Sequence, residues 1–148
     1  SELFFLYLDI KIKVMHLKTA KRLTAKYFEK CVEIYGHSKF HDTTPYIEFE
    51  KSIYSKYSGI KAYEVSCKED DTPEAEYDYI NNEIIIYYKN IKDAAHLGQT
   101  IIHEYQHYLQ SPSWMTRYYR MGYRYDNHPY EVAAYKEESK FNLILRKD

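Results

Sequence analysis

Residues 93–110 read DAAHLGQTIIHEYQHYLQ, and this stretch determines how the rest of the sequence is interpreted. At about 100° per residue, five of its apolar side chains form a stripe along one face of an α-helix. They are Ala94, Ile101, Ile102, Tyr105 and Leu109. Charged and polar side chains fall on the opposite face. The spacing therefore predicts an amphipathic helix with one face for the core and the other available for chemistry.

The polar face of this helix carries an H-E-x-x-H pattern, with His103, Glu104 and His107 at its fixed positions. Because His103 and His107 are four residues apart, both imidazoles lie one turn apart on one face and can reach one metal ion. Glu104 lies about 100° round the helix from His103, where its carboxylate can hold and deprotonate a water on that metal. The competing interpretation is two surface histidines with a glutamate between them. The amphipathic context favours a metal site.

A catalytic zinc ion needs a third protein ligand and one open position. The start of the last predicted helix offers two candidates, His128 and Glu131. Pro129 suits the first turn of that helix, and the small Ala134 lets it approach the H-E-x-x-H helix closely. We favour Glu131 as the ligand. The alternatives are that Glu131 belongs to a helix capping box, and that His128 is a cap or a hydrogen-bond donor in the cleft.

The period of the hydrophobic residues divides the remaining chain into short elements. It predicts strands at 3–15, 45–50 and 60–67 and helices at 19–35, capped by Thr19, and at 129–146.

Two further segments, residues 69–78 and 77–88, precede the H-E-x-x-H helix. Residues 69–78 are mostly acidic and predict a solvated loop. Residues 77–88 predict a hairpin around Asn81 and Asn82, since asparagine tolerates the left-handed conformation of a tight turn. Residues 111–126 are expected to be a loop between the last two helices. The predicted fold is α+β, with a small antiparallel or mixed sheet packed against an N-terminal helix, the H-E-x-x-H helix and a C-terminal helix.

The H-E-x-x-H pattern and the downstream E-x-x-A at 131–134 together resemble gluzincin-type zinc metallopeptidases, especially the minigluzincins and the ImmA/IrrE-like peptidases. The resemblance implies one Zn²⁺ per chain on His103, His107 and Glu131, with Glu104 as general base in peptide-bond hydrolysis. It also implies a peptide or protein substrate that pairs with an edge strand, here expected at 83–88. The residues after the E-x-x-A glutamate differ from the family's usual Ala-Asn continuation.

The segment between the last two helices interleaves arginines with tyrosines. Arg117, Arg120, Arg124 and Tyr125 are candidates for binding substrate or stabilising the oxyanion of the transition state, and His128 is a further candidate stabiliser. The same 114–125 segment also suits a nucleic-acid-associated protein, because arginine and tyrosine contact phosphates and stack on bases. A catalytically inactive or regulatory binding protein with a structural metal is the third alternative.

Length, net charge and cysteine content bear on which class of protein this is. The chain has 148 residues, typical of one domain spanning 1–148. Its 21 basic and 22 acidic residues give a net charge of −1, which argues against a protein that coats nucleic acid or membrane. The apolar run from Leu3 to Leu8 is too short for a signal peptide or a membrane span. Cys31 and Cys67 form no Cys-x-x-Cys pair, so reduced thiols and a cytoplasmic location are expected.

Overall fold

A computed structural model describes residues 15–57 and 72–144. The strand predicted at 60–67 lies outside the described residues. So does the strand predicted at 3–15, apart from Met15, which precedes the first helix. The helix predicted at 19–35 is confirmed as α1, Leu17–Tyr35. Its N-cap is His16 rather than Thr19, because the helical turns begin two residues earlier than predicted.

Three strands form a mixed sheet in the described part of the chain. Strand β1 is Tyr46–Glu50, β2 is Ala75–Asp78 and β3 is Glu83–Tyr87, and a short helix α2, Ile53–Tyr57, follows β1. The order is β1-β3-β2, with β1 parallel and β2 antiparallel to β3. The predicted α+β class and mixed sheet are confirmed.

The predicted hairpin is confirmed as β2 and β3, and Asn82 in its turn has a φ of 49°. The turn spans 79–82 and is wider than the predicted pair Asn81–Asn82, because β2 ends at Asp78. The sheet corrects two other predictions. The last part of the acidic loop is β2, because Ala75 and Tyr77 alternate towards the core. Residues 83–88 are not an edge strand, because β3 lies between the other two and its Ile84–Tyr87 run is buried. A continuous apolar run is typical of a strand covered on both faces.

The helices after the sheet follow one 3₁₀ turn at Tyr88–Asn90. They are α3 at Ala94–Leu109, α4 at Pro112–Arg120, α5 at Pro129–Glu138 and α6 at Phe141–Ile144. The prediction of α3 is confirmed, whereas the predicted loop at 111–126 contains α4. Ser111 caps α4 through its hydroxyl, and Pro112 occupies its first turn.

The single helix predicted at 129–146 is instead divided into α5 and α6. Between them, the hydroxyl of Ser139 donates to the carbonyl of Lys136, and the backbone turns. The turn lets Phe141 pack edge-on against Tyr27 of α1, with ring centroids 5.8 Å apart. The contact of Phe141 with the core therefore determines where α5 ends. The local hydrophobic period does not predict this contact.

Helix α3 lies at the centre of the fold. Its apolar face, including Ile101, Ile102 and Tyr105, is fully buried against α1 and the sheet. Helix α5 packs against the opposite face, where Glu131 meets His103 and His107. Ala94, expected on the apolar face, is exposed at the first turn. In the described residues, no helix combines the length and the apolar character needed to cross a membrane.

Candidate metal centre

The polar face of α3 presents two buried histidines to α5. His103 and His107 are 6% and 7% exposed, and their Nε2 atoms are 3.3 Å apart. They stand one turn apart because the helix is regular from its cap, where the Asp93 carboxylate accepts from the backbone N–H of His96. The two rings therefore point their Nε2 atoms towards one position.

Glu131 joins them from the first turn of α5. Its Oε2 is 3.4 Å from Nε2 of His103, and its Oε1 contacts Nε2 of His107. Ala134, on the same face of α5, is fully buried, in keeping with the close packing of α5 on α3. One ligand atom from each of the three side chains lies within 4.8 Å of the other two. We call His103, His107 and Glu131 the triad; it is a group that could hold a metal ion.

The outer nitrogens of both histidines are held by hydrogen bonds. Nδ1–H of His103 donates to Oε2 of Glu138 over 2.7 Å, and Nδ1–H of His107 donates to Oε1 of Gln110 over 2.7 Å. The amide of Gln110 in turn donates to the carbonyl of Tyr130 over 3.1 Å. Partners of this kind fix the tautomer and the ring orientation of metal-binding histidines. They leave both Nε2 atoms facing Glu131.

The charges in the triad favour a cation. Burial lowers the pKa of His103, but the carboxylates of Glu131 and Glu138 outweigh it and raise that pKa to about 10. The pKa of His107 is also raised, because Glu131 outweighs burial there. Burial likewise opposes ionisation of Glu131, yet the two histidines lower its pKa to about 2. Glu131 is thus ionised, and a metal ion bound here would compete with protons for the two imidazoles.

Glu104 lies beside the triad and is only 7% exposed. Its Oε2 is buried and has no hydrogen-bond partner among the described residues. Burial raises its pKa to about 7 against the lowering effect of the two histidines. Buried carboxylate oxygens normally have hydrogen-bond partners, which makes this oxygen unusual. Two histidines, a glutamate and a nearby second carboxylate match the donor set of catalytic zinc sites.

Glu104 lines two cavities. The larger has a volume of about 360 Å³ and reaches His107 and Glu131. The smaller has a volume of about 150 Å³ and reaches His103. Both border Ala75 of β2. The candidate centre therefore opens onto a cleft that runs along β2.

His128 caps α5, which is one of the alternatives to a metal ligand that the sequence predicted for it. It is fully buried, and its Nδ1 accepts from the backbone N–H of Tyr130 over 3.0 Å. Its Nε2 lies 3.0 Å from the carbonyl of Met115. Both ring nitrogens are therefore engaged with backbone groups, and His128 lines neither cavity. The geometry favours Glu131 as the third ligand and a capping role for His128.

The structure does not bring the arginines of the 114–125 segment to the triad. Arg117, Arg120 and Arg124 are exposed and line neither cavity. The guanidinium of Arg117 lies over the ring of Trp114, 5.0 Å from its centroid. Tyr125 differs from them, because it lines both cavities.

Sequence reasoning missed three residues that contact the histidines. Glu138 and Gln110 hold the Nδ1 atoms, and the ring of Tyr135 packs edge-on against His103 with centroids 4.5 Å apart. One signal was available: Glu138 follows Glu131 by two helical turns and so shares its face.

Comparisons with known proteins do not extend this description: no family model, curated protein or solved structure matches the chain. The resemblance to gluzincins therefore rests on the H-E-x-x-H and E-x-x-A residues and stays a prediction.

Proposed function

We propose that this protein is a zinc-dependent metallopeptidase. The observation that carries the proposal is the convergence of the triad with its Nδ1 atoms tied back to Glu138 and Gln110, beside the unpartnered Oε2 of Glu104. A closed structural zinc site uses four protein ligands, whereas the described residues bring three together. This count supports a catalytic site over a purely structural metal.

The side chains have distinct roles in the proposed reaction. His103, His107 and Glu131 would hold the zinc, which when bound polarises the scissile carbonyl and acidifies the attacking water. Glu104 removes a proton from that water as the water attacks the carbonyl carbon. It then delivers the proton to the nitrogen of the leaving amine, and the C–N bond breaks. Burial raises the pKa of the Glu104 carboxyl above its usual range, which makes it a stronger base for the first transfer.

The cleft suits an extended peptide rather than a compact ligand. Strand β2 lies at one edge of the sheet formed by the described strands and borders both cavities. An extended chain can add to such an edge through backbone hydrogen bonds. This supports a peptide or protein substrate, and it moves the proposed pairing strand from 83–88 to β2. The cytoplasmic location remains part of the proposal.

The experiment that tests the proposal replaces Glu104. We expect Glu104→Gln to retain zinc and to lower the rate of peptide hydrolysis by about 10²- to 10⁴-fold, because it removes the general base. Hydrolysis is measured on a fluorogenic peptide library with zinc-loaded protein, and zinc by elemental analysis. The matched control is Glu33→Gln, an exposed glutamate on α1 that lines neither cavity.

Undiminished hydrolysis by pure Glu104→Gln protein would remove Glu104 from its role. No hydrolysis of any library member by zinc-loaded wild type would overturn the peptidase proposal itself.

A further inference from the structure

The larger cavity beside Glu104 has a predominantly aromatic and apolar lining. The rings of Tyr77, Tyr79 and Tyr119 border it, together with Met115 and Pro112. Its volume of about 360 Å³ is within the range of cavities that enclose organic ligands. Burial of a large apolar side chain among these groups is favourable, because it removes apolar surface from water on both sides.

The smaller cavity has a different character. Glu74 and Glu138 border it, and His96 and Thr100 complete its polar side. The Glu138 carboxylate already accepts from Nδ1–H of His103, and Glu74 lies 3.6 Å from Nε2 of His96. No lysine or arginine of the described residues lines this cavity to pair with the two carboxylates. The smaller cavity is therefore a polar, anionic site.

The balance of charge in the whole cleft is negative. Five glutamates line the two cavities, and no lysine or arginine of the described residues does. The two positive charges of a zinc ion would offset only Glu104 and Glu131. Glu74 and Glu138 remain, and both line the smaller cavity together with Glu104. Such a field attracts cationic groups and repels carboxylates.

We propose that the cleft selects peptides with a large apolar side chain on one side of the scissile bond and lysine or arginine on the other. The apolar side chain occupies the larger cavity, and the basic side chain extends into the smaller one towards Glu74 and Glu138. This inference rests on the proposed function for the position of the scissile bond. The selectivity itself is a property of binding and is measured without turnover.

The test uses zinc-loaded Glu104→Gln protein, which does not consume its ligand, and calorimetric titration. The probes are end-blocked hexapeptides that differ only in their two central residues: Phe-Lys, Lys-Phe, Phe-Glu and Glu-Phe. Both orders are included, so that either direction of the chain is sampled. We expect one lysine peptide to bind about tenfold more tightly than its glutamate counterpart, and replacement of its Phe by Ala to weaken binding about tenfold.

Two variants connect this selectivity with the cavities. Glu74→Gln should reduce the preference for lysine about threefold, a modest effect because its side chain is half exposed to solvent. Glu33→Gln on α1 is the matched control and should leave the preference unchanged. Met115→Trp, which fills the larger cavity, should abolish the advantage of Phe over Ala while circular dichroism shows a folded protein.

Equal affinity for the lysine and glutamate peptides would overturn the inference, and so would a lack of binding by all four. Hydrolysis by wild type is measured as well, because it distinguishes a failure of this inference from a failure of the proposed function. Selective binding without hydrolysis would support the inference and contradict the peptidase proposal. Hydrolysis without selective binding would support the peptidase proposal and contradict the inference.

Discussion

Two clusters of ionisable side chains in this protein differ in the source of their positive charge. In the first, which we call the lysine cluster, Lys56 of α2 lies between Glu48 and Glu83, with its Nζ 2.9 Å from Glu83 Oε1 and in contact with Glu48. In the second, the triad, two histidines and a glutamate converge with no lysine or arginine of the described residues around them.

Burial separates the two clusters further. Side chains of the lysine cluster are 19–36% exposed, whereas those of the triad are 6–8% exposed. Uncompensated charge costs more in the drier site. The lysine cluster contains its own cation and lies near water, so it requires no bound ion, and we interpret it as structural. A buried cluster of metal-ligand types without a cation must obtain one, as a proton or as a metal ion.

The largest expected contrast is in the response to zinc. At free zinc of about 100 times its dissociation constant, the free energy of unfolding of wild type should rise by about 2.7 kcal/mol. His107→Ala should lose this increment, and Lys56→Met should keep it, because only the triad takes up the ion. Urea unfolding with and without zinc measures both. An equal increment in His107→Ala and wild type would place the zinc elsewhere.

A smaller effect is expected from the residue that orients His103. Glu138→Ala should weaken zinc binding about tenfold, because Nδ1–H of His103 loses its acceptor and the ring its fixed orientation. Competition with a chelator of known affinity measures the change. Lys136→Ala, exposed on the same helix, is the control. Unchanged affinity in Glu138→Ala would show that the ring is held by other contacts.

The smallest effect concerns the lysine cluster. Lys56→Met should lower the free energy of unfolding by about 1 kcal/mol at pH 7, a value reduced for solvent screening, because Glu48 and Glu83 then face each other without the ammonium. Urea unfolding at pH 7, 5 and 3 measures the difference from wild type.

The difference should shrink as the pH falls. Hydrogen bonds with Glu83 and Lys56 lower the pKa of Glu48 to about 2 in the folded protein. A carboxyl with a lowered folded pKa stabilises the protein above its unfolded pKa of about 4.3, and this contribution is lost as the pH falls towards 2. A difference that grows on acidification would contradict this account of the cluster.

The sequence predicts a helix or a site residue correctly where one local pattern determines its position. Helix α3 has a strong 3.6-residue period and an aspartate cap, so both its limits and its two faces were predictable. Glu131 was predictable because Pro129 marks the start of α5 and Ala134 marks its contact face. In each case, neighbours within two turns supply the signal.

The remaining features depend on contacts between distant segments. The central place of β3 follows from its parallel pairing with β1, more than thirty positions earlier, and no local period encodes that pairing. The end of α5 depends on the packing of Phe141 against Tyr27. The role of Glu138 depends on α5 lying against α3, although its spacing after Glu131 places both glutamates on one face. The contact of Gln110 with His107 is local, but its bond to the carbonyl of Tyr130 again depends on α5.

The measurement that tests the central claim most directly is the zinc content per chain of wild type, Glu131→Ala and His128→Asn, each purified without added metal. The asparagine in the last variant keeps a side chain that can cap α5. We predict about one zinc per chain in wild type and in His128→Asn, and a large loss in Glu131→Ala. Full retention in Glu131→Ala, or no zinc in wild type after reconstitution, would contradict the triad as a metal centre.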